Sequence, residues 1–272
     1  MKAIGQSRKG AGEGPNEDAI GWDEQRSLAV LADGMGGYAS GEVASRLVKE
    51  TLLASEPDAD LAAVVRSAHT LICKASAENP ESLGGMGSTV VAFRIADRVA
   101  RIVWVGDSRA YLWRHNRLRP LTRDHSVAEH LRHAEHLSET QIERHPLRRT
   151  VMQALGKELL APSVTELPLR RGDWLMLCTD GVTGVMADTA ITGVLRGARS
   201  MTDAAEVLIS TAFASGSTDD ISVVIAEYTG PSKLRLDWQL TPRAAIWLSI
   251  FAGVLVAGLL TSLVKWLARS SH

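Results

Sequence analysis

Apolar residues follow two different patterns along the first 228 residues of the chain, a helical period and short continuous runs. Apolar residues return every three to four positions over residues 43–52, 61–75 and 205–212, which predicts amphipathic helices. Short runs rich in β-branched residues and ended by turn residues predict strands. These runs read SLAVLADG from Ser27, STVVAFRI from Ser88, RIVWVGDS from Arg101, AYLWR from Ala110, WLMLCTDG from Trp174 and ISVVIAEY from Ile221.

The connection between two of these strands predicts the sheet type. Strands over 88–95 and 101–105 are joined near Ala96-Asp97, which is too short a link for a parallel crossover and therefore predicts a hairpin. Antiparallel sheets with packed helices indicate an α+β layered domain over residues 1–228. The following segment, 229–243, contains Gly230 and two prolines and is predicted to be a linker.

A long apolar run lies near the C-terminus. Residues 244–264 include no charge over twenty-one positions, enough at about 1.5 Å per residue to cross a bilayer core of roughly 30 Å. Trp247 and Trp266 lie near its two ends, as is typical of membrane interfaces. We predict one transmembrane helix at 244–266 and a short tail at 267–272; a buried core helix is the alternative.

Composition limits where the chain works and what it binds. The N-terminus has no apolar run typical of a signal peptide, so we expect a cytoplasmic domain held at the membrane by a C-terminal anchor. Thirty basic and thirty-one acidic residues give a net charge of −1, which argues against nucleic acid as a partner. Cys73 and Cys178 lie far apart, outside any zinc or disulfide pattern.

Carboxylates recur where predicted strands end. Asp33, Asp107 and Asp180 each follow an apolar run and precede a small residue, and Asp219-Asp220 stands directly before the last strand. Because neighbouring antiparallel strands begin and end at the same edge, these side chains are expected to meet there. Clustered carboxylates take up protons or bind cations, and hard oxygen ligands select Mg²⁺ or Mn²⁺. A single Asp-Gly would indicate only a turn.

Six motifs in order make the resemblance specific. They are Asn16-Glu17-Asp18, Asp33-Gly34-Met35-Gly36-Gly37, Gly87-Ser88-Thr89, Gly106-Asp107-Ser108-Arg109, Asp180-Gly181 and Asp219-Asp220-Ile221. Over residues 5–228 the chain resembles the metal-dependent protein phosphatase 2C family in its bacterial form. The resemblance implies a four-layer α-β-β-α sandwich of two antiparallel sheets flanked by helices. It also implies dephosphorylation of phosphoserine and phosphothreonine in proteins that a serine/threonine kinase has modified.

The resemblance also implies a set of ligands for two tightly bound Mg²⁺ or Mn²⁺ ions and a third, weaker one. Asp33 would bridge the two ions and the Gly34 carbonyl would bind the second. The remaining assignments are Asp180 and Asp219 for the first ion, Glu17 and Asp18 for the second, and Asp107 with Asp180 for the third.

Two positions depart from the family pattern. Asp220 stands where asparagine is usual, and Glu13 stands where a phosphate-binding arginine is common. Arg8 or Lys9 is the candidate replacement for that arginine. The departures keep open a catalytically weak or silent module that binds phosphoproteins. A phosphatase of an anti-sigma antagonist is the other alternative.

The spacing of cysteines and histidines bears on two other possible sites, a thiol phosphatase site and a zinc site. Thiol phosphatases need an arginine six positions after the cysteine, but Asn79 and Gly184 stand there. The histidines at 125, 130, 133 and 136 suggest zinc, although a spacing of three drifts off one helix face. The resemblance instead places residues 123–146 in a variable flap beside the active site, where substrate selection is expected.

Overall fold

The computed structural model describes residues 1–36, 40–148 and 150–230. The strands are β1 (Lys2–Arg8), β2 (Asp18–Asp23), β3 (Leu28–Met35), β4 (Gly87–Ser88), β5 (Val90–Ala96), β6 (Val99–Val105), β7 (Arg109–Arg114), β8 (Arg117–Pro120), β9 (Ser163–Pro168), β10 (Trp174–Cys178) and β11 (Ile221–Glu227). The helices are α1 (Ser40–Leu53), α2 (Leu61–Glu78), α3 (Pro80–Leu83), α4 (Val127–His133), α5 (Glu139–Glu143), α6 (Asp180–Thr183), α7 (Asp188–Gly197) and α8 (Met201–Ala214).

The strands form two antiparallel sheets. One has the order β1-β11-β10-β7-β8, and the other has the order β2-β3-β5-β6-β9, with β4 paired to β3. Every strand predicted from the sequence lies inside one of these sheets, and the three predicted helices correspond to α1, α2 and α8. The prediction of antiparallel sheets flanked by helices is confirmed.

Three apolar clusters hold these layers together. The central cluster lies between the sheets and includes Phe93 from β5 and Leu177 from β10. A second packs helices α1 and α2 onto the β3–β5–β6 face, with Val48 and Ile72 fully buried. A third packs α7 and α8 onto the β7–β10–β11 face. Two packed sheets with helices outside each give four layers.

The hairpin between β5 and β6 differs from the prediction by one residue. Ala96 pairs with Val99, so the two turn residues are Asp97 and Arg98 rather than Ala96 and Asp97. Both turn residues have positive φ, 48° and 67°, as a two-residue hairpin turn requires. The prediction was wrong by one position because arginine is not a residue that signals this conformation.

The predicted membrane segment cannot be compared with the structure. In the described ranges, which end at residue 230, no helix combines the length and the apolar character needed to cross a bilayer. The predicted linker from residue 231 onward and the predicted helix at 244–266 lie outside the described residues. The transmembrane helix therefore stays a prediction.

Candidate metal centre

Two carboxylates face each other across the β2–β3 ladder. Asp18 at the start of β2 is the direct cross-strand partner of Asp33 in β3. Opposite residues on antiparallel strands hold their Cβ atoms about 4.5–5.5 Å apart, so this pairing brings two like charges together. Such a pair is unfavourable unless a proton or a cation compensates it.

Further carboxylates reach this place from both sheets. Asp107 lies in the turn from β6 to β7, Asp180 begins α6 directly after β10, and Asp219 stands just before β11. All three line one cavity of about 440 Å³. The sequence predicted a common sheet edge, whereas the structure brings the carboxylates together where the ends of the two sheets meet.

Burial and mutual repulsion shift the pKa values of these carboxyl groups. Burial raises the pKa of Asp33 well above its ordinary value, and Asp18, Asp180, Asp107 and Asp219 each raise it further. Burial is also the largest cause at Asp18, whose pKa rises to about 8. At Asp107, burial and then Asp180 raise the pKa to about 7. Without a cation, part of this cluster is therefore protonated near neutral pH.

The donor set fits a hard divalent cation. Asp18 Oδ1 is buried and has no hydrogen-bond partner among the described residues. In that same part of the chain, however, no three histidine, cysteine, aspartate or glutamate side chains lie close enough to coordinate one ion alone. Backbone carbonyl or water oxygens must complete the coordination, as is usual for Mg²⁺. The donors available are all oxygen atoms, which suits Mg²⁺ or Mn²⁺.

Glu17 and Gly34 meet at the N-terminus of α1. The Gly34 backbone N–H donates to the Glu17 carbonyl oxygen at 3.1 Å. The Gly41 backbone in the first turn of α1 lies against the Glu17 carboxylate, since a Cβ on Gly41 would lie 2.6 Å from its carboxyl carbon. A Cβ on Gly34 would lie 2.1 Å from the Gly41 carbonyl oxygen, so only glycine lets β3 and α1 approach this closely. This contact positions both predicted ligands of the second ion.

A model of the protein phosphatase 2C family matches residues 4–217 of the chain. The chain belongs to the protein phosphatase 2C family. The match includes every predicted ligand except Asp219, which stands just beyond its end and before β11. The family assignment made from the six sequence motifs is confirmed.

Relatives of this phosphatase 2C chain have been named for their activity. "Serine/threonine phosphatase stp" of Listeria welshimeri is 34% identical over 227 residues, which cover 78% of this chain and 90% of that protein. "Serine/threonine protein phosphatase PstP" of Mycobacterium tuberculosis is 34% identical over 234 residues. That match covers 84% of this chain and 45% of the PstP protein.

Solved structures of PstP share the fold of this phosphatase 2C domain. The crystal structure of PstP from Mycobacterium tuberculosis has a TM-score of 0.77 and 32% identity, covering 84% of this chain and 99% of that one. The PstP catalytic domain in complex with two manganese ions has a TM-score of 0.75 and 30% identity. That match covers 84% of this chain and 98% of the PstP domain.

Hydroxyl groups that sequence reasoning missed hold the carboxylates of the phosphatase 2C domain in place. The Thr179 hydroxyl donates to Asp18 Oδ2 at 3.2 Å and accepts from the Ser222 backbone N–H at 3.0 Å. Thr89 Oγ1 accepts from the Asp33 backbone N–H at 3.1 Å and lies 2.9 Å from Ser108 Oγ. Ser88 and Thr89 belong to the motif Gly87-Ser88-Thr89, for which the sequence predicted no role. The only sequence signal for Thr179 is its position directly before Asp180.

The candidate phosphate-binding cations lie at the end of β1. The Arg8 guanidinium stacks on the Phe213 ring of α8, 3.4 Å from its centroid. Lys9 is exposed at the start of the following loop. The stacking contact places the Arg8 guanidinium beside α8. A role for Arg8 or Lys9 in phosphate binding stays a prediction.

The histidines of the predicted flap have other partners. His125 stacks on Trp104, accepts from the Gly106 backbone N–H and lies 3.0 Å from Ser163 Oγ. His133 pairs with Glu129 on the same helix at 2.9 Å. Within the described ranges no metal-binding group of histidines forms, so the structure gives the zinc interpretation no support.

Proposed function

We propose that this chain hydrolyses phosphoserine and phosphothreonine in proteins in a reaction that requires Mg²⁺ or Mn²⁺. The enzyme is a metal-dependent protein serine/threonine phosphatase of the phosphatase 2C family. The observation that carries the proposal is the placement of five carboxylates where the two sheets meet: Asp18 and Asp33 pair across β2 and β3, and Asp107, Asp180 and Asp219 line one cavity. That cluster offers carboxylate oxygen atoms as ligands for a divalent cation.

The proposed ligand roles follow the sequence prediction. Asp33 would bridge two ions, with Asp180 and Asp219 on the first and the Gly34 carbonyl on the second. Glu17 and Asp18 would support the second ion, and Asp107 with Asp180 would hold a third, weaker one. Two bound divalent cations would supply an activated water as nucleophile near neutral pH and would neutralise charge on the phosphoryl oxygens.

The chain's own groups prepare this site before any ion enters. The hydroxyl of Thr179 fixes Asp18 Oδ2, which leaves the buried Oδ1 as the free acceptor. The Glu17 carboxylate lies against Gly41 at the N-terminus of α1, where the helix dipole favours negative charge. Groups held in this way need little reorganisation when a cation binds.

Metal-dependent turnover tests the proposal directly. The full chain should release phosphate from a phosphothreonine peptide in Mg²⁺ or Mn²⁺ and stop in excess chelator. Asp33→Asn should lower kcat/KM by about a hundredfold or more, since it removes the proposed bridging ligand. Asp203→Asn, in the first turn of α8 and outside the metal centre, is the control. Unchanged turnover in chelator or in Asp33→Asn would refute the mechanism, and tight peptide binding without phosphate release would favour the silent module.

The location of the enzyme forms a second part of the proposal. The uncharged run at 244–264 supports a transmembrane helix at 244–266, with the phosphatase domain on the cytoplasmic side and contact with the lipid bilayer. Protease added to right-side-out spheroplasts should spare the domain until lysis. Digestion before lysis would place it outside, and release of the chain by carbonate washing would argue against a membrane span.

A further inference from the structure

One aspartate holds both ends of the loop that connects β1 to β2. The Asp220 carboxylate accepts from the Gly10 backbone N–H through Oδ1 at 2.8 Å and from the Glu17 backbone N–H through Oδ2 at 2.6 Å. Gly10 and Glu17 are the first and last residues of the loop segment that contains Gly12, Glu13 and Gly14. A single side chain therefore closes this loop against the start of β11.

The backbone near Asp220 strengthens the closure. The Ala11 N–H donates to the Thr218 carbonyl oxygen at 3.0 Å. A Cβ on Gly10 would lie 2.4 Å from the Asp219 backbone, so the two segments are in close contact. Residues 11–15 between the two ends are exposed. The position of this glycine-rich loop is therefore set mainly at its ends, since exposed glycine segments have high conformational freedom.

The two hydrogen bonds require a carboxylate. An ionised aspartate offers acceptors on both oxygens, whereas asparagine offers one acceptor oxygen and one NH₂ group that only donates. At Asp220 an amide would direct a donor at one of the two backbone N–H groups and lose that bond. These bonds give a physical reason for an aspartate at position 220, where asparagine is usual in the phosphatase 2C family.

The closure extends to the metal centre. Asp220 fixes the Glu17 N–H, the Glu17 carbonyl accepts from the Gly34 N–H, and the Gly34 carbonyl is a proposed ligand of the second ion. We propose that Asp220 is a positioning residue that sets the affinity of the second cation site by fixing Glu17 and Gly34. This inference rests on the proposed function for its kinetic consequence but not for the hydrogen bonds themselves.

Two readouts on the full chain in detergent test the inference. In Asp220→Asn, hydrogen–deuterium exchange should rise about tenfold at whichever of the Gly10 and Glu17 amides faces the NH₂ group, because that charge-assisted bond is lost. The Mn²⁺ concentration for half-maximal turnover should also rise about tenfold, while kcat at saturating Mn²⁺ stays within about twofold. A merely destabilised protein would lose active enzyme at every Mn²⁺ concentration without shifting the midpoint.

The controls separate geometry from charge. Asp97→Asn, in the exposed β5–β6 turn, should leave both readouts unchanged. Asp220→Glu keeps the charge but moves the carboxylate by one methylene, so it should also raise exchange at the Gly10 and Glu17 amides. This variant replaces Asp220→Asn in the test if Asp220→Asn does not fold. Wild-type behaviour of Asp220→Glu in both readouts would show that charge alone matters and would overturn the proposal.

The remaining outcomes are also decisive. Unchanged exchange at Gly10 and Glu17 in Asp220→Asn would overturn the closure, and faster exchange with an unchanged Mn²⁺ midpoint would overturn the positioning role. If the wild-type chain shows no turnover, the proposed function fails. Exchange together with Mn²⁺ titration by calorimetry then still decides whether Asp220 sets cation affinity.

Discussion

The Thr179 hydroxyl connects the two sheets at the metal centre. It donates to Asp18 of β2 at 3.2 Å and accepts from the Ser222 N–H of β11 at 3.0 Å, and Thr179 itself is fully buried. Thr179→Val keeps the shape and removes both bonds. We expect it to lower the free energy of unfolding by about 1–3 kcal/mol, because two buried polar groups lose their partner. Denaturant titration of the full chain in chelator measures the change.

A matched substitution isolates the hydroxyl in this test. Thr179→Ser keeps the oxygen and removes only a methyl group, so it should cost about 1 kcal/mol or less if the hydroxyl dominates. Equal losses for the valine and serine variants would show that packing of the methyl group, not the hydrogen bonds, holds this position.

The residues of the site differ in how well their roles could be predicted from the sequence. Asp33, Asp107 and Asp180 were predicted together because the same pattern, an apolar run followed by an aspartate, recurs at three strand ends. Thr179 was not predictable, because threonine is common at strand ends and its role depends on Asp18, which lies 161 positions away. Arg8 was predicted from its charge and its position in the sequence, which could not show its contact with the Phe213 ring of α8.

The strands that the sequence did not reveal share one position in the fold. β1 and β8 are the edges of one sheet, and β2 and β9 are the edges of the other. Edge strands are covered on fewer sides, so their residues mix buried and exposed positions, as β9 shows. The interior strands β3, β5 and β11 are almost continuously buried and therefore read as apolar runs. Burial on both faces is thus what made strands predictable.

An ion pair joins β7 to the turn before β10. Arg114 donates to both oxygens of Asp173 at 2.8 and 2.5 Å, and the Arg170 N–H donates to the same carboxylate at 2.6 Å. Asp173 is only 3% exposed. Asp173→Asn should lower the free energy of unfolding by about 1.5–3 kcal/mol, since it weakens several charge-assisted bonds in a buried place. Chemical denaturation measures the loss.

An exposed pair in the other sheet provides the comparison. Arg101 and Glu166 lie 2.6 Å apart on β6 and β9, with side chains about half exposed, at 51% and 49%. Glu166→Gln should cost less than about 1 kcal/mol, because exposed ion pairs are screened by solvent. A cost as large as that of Asp173→Asn would mean that burial does not decide the strength of these pairs.

At the level of the whole molecule, the metal centre exists because two sheets end at the same place. The sequence predicted which carboxylates would meet, but it assigned them to one sheet edge, since pairing between distant strands such as β1 and β11 cannot be read from local patterns. The flap was expected as a variable segment, and the structure adds helices α4 and α5 within it. Short helices of five to seven residues carry too little periodicity to be predicted.

The anionic centre makes the stability of the whole molecule depend on pH in a direction that metal should reverse. Burial raises the pKa of Asp18 to about 8 and that of Asp107 to about 7 in the folded state, whereas unfolded aspartate titrates near 3.9. The folded state therefore binds more protons than the unfolded state between these values. Stability contributed by the protonated groups is complete below about pH 4 and is lost as pH rises towards 8.

This linkage predicts opposite pH slopes with and without metal. In chelator, the melting temperature of the full chain should fall between pH 5 and 8. In saturating Mn²⁺ it should rise over the same range, because ionised carboxylates bind the cation and protons compete with it. Asp18→Asn should flatten the fall in chelator, while Asp203→Asn should not. A melting temperature independent of pH in chelator would mean that folding does not raise the pKa values of the clustered carboxyl groups.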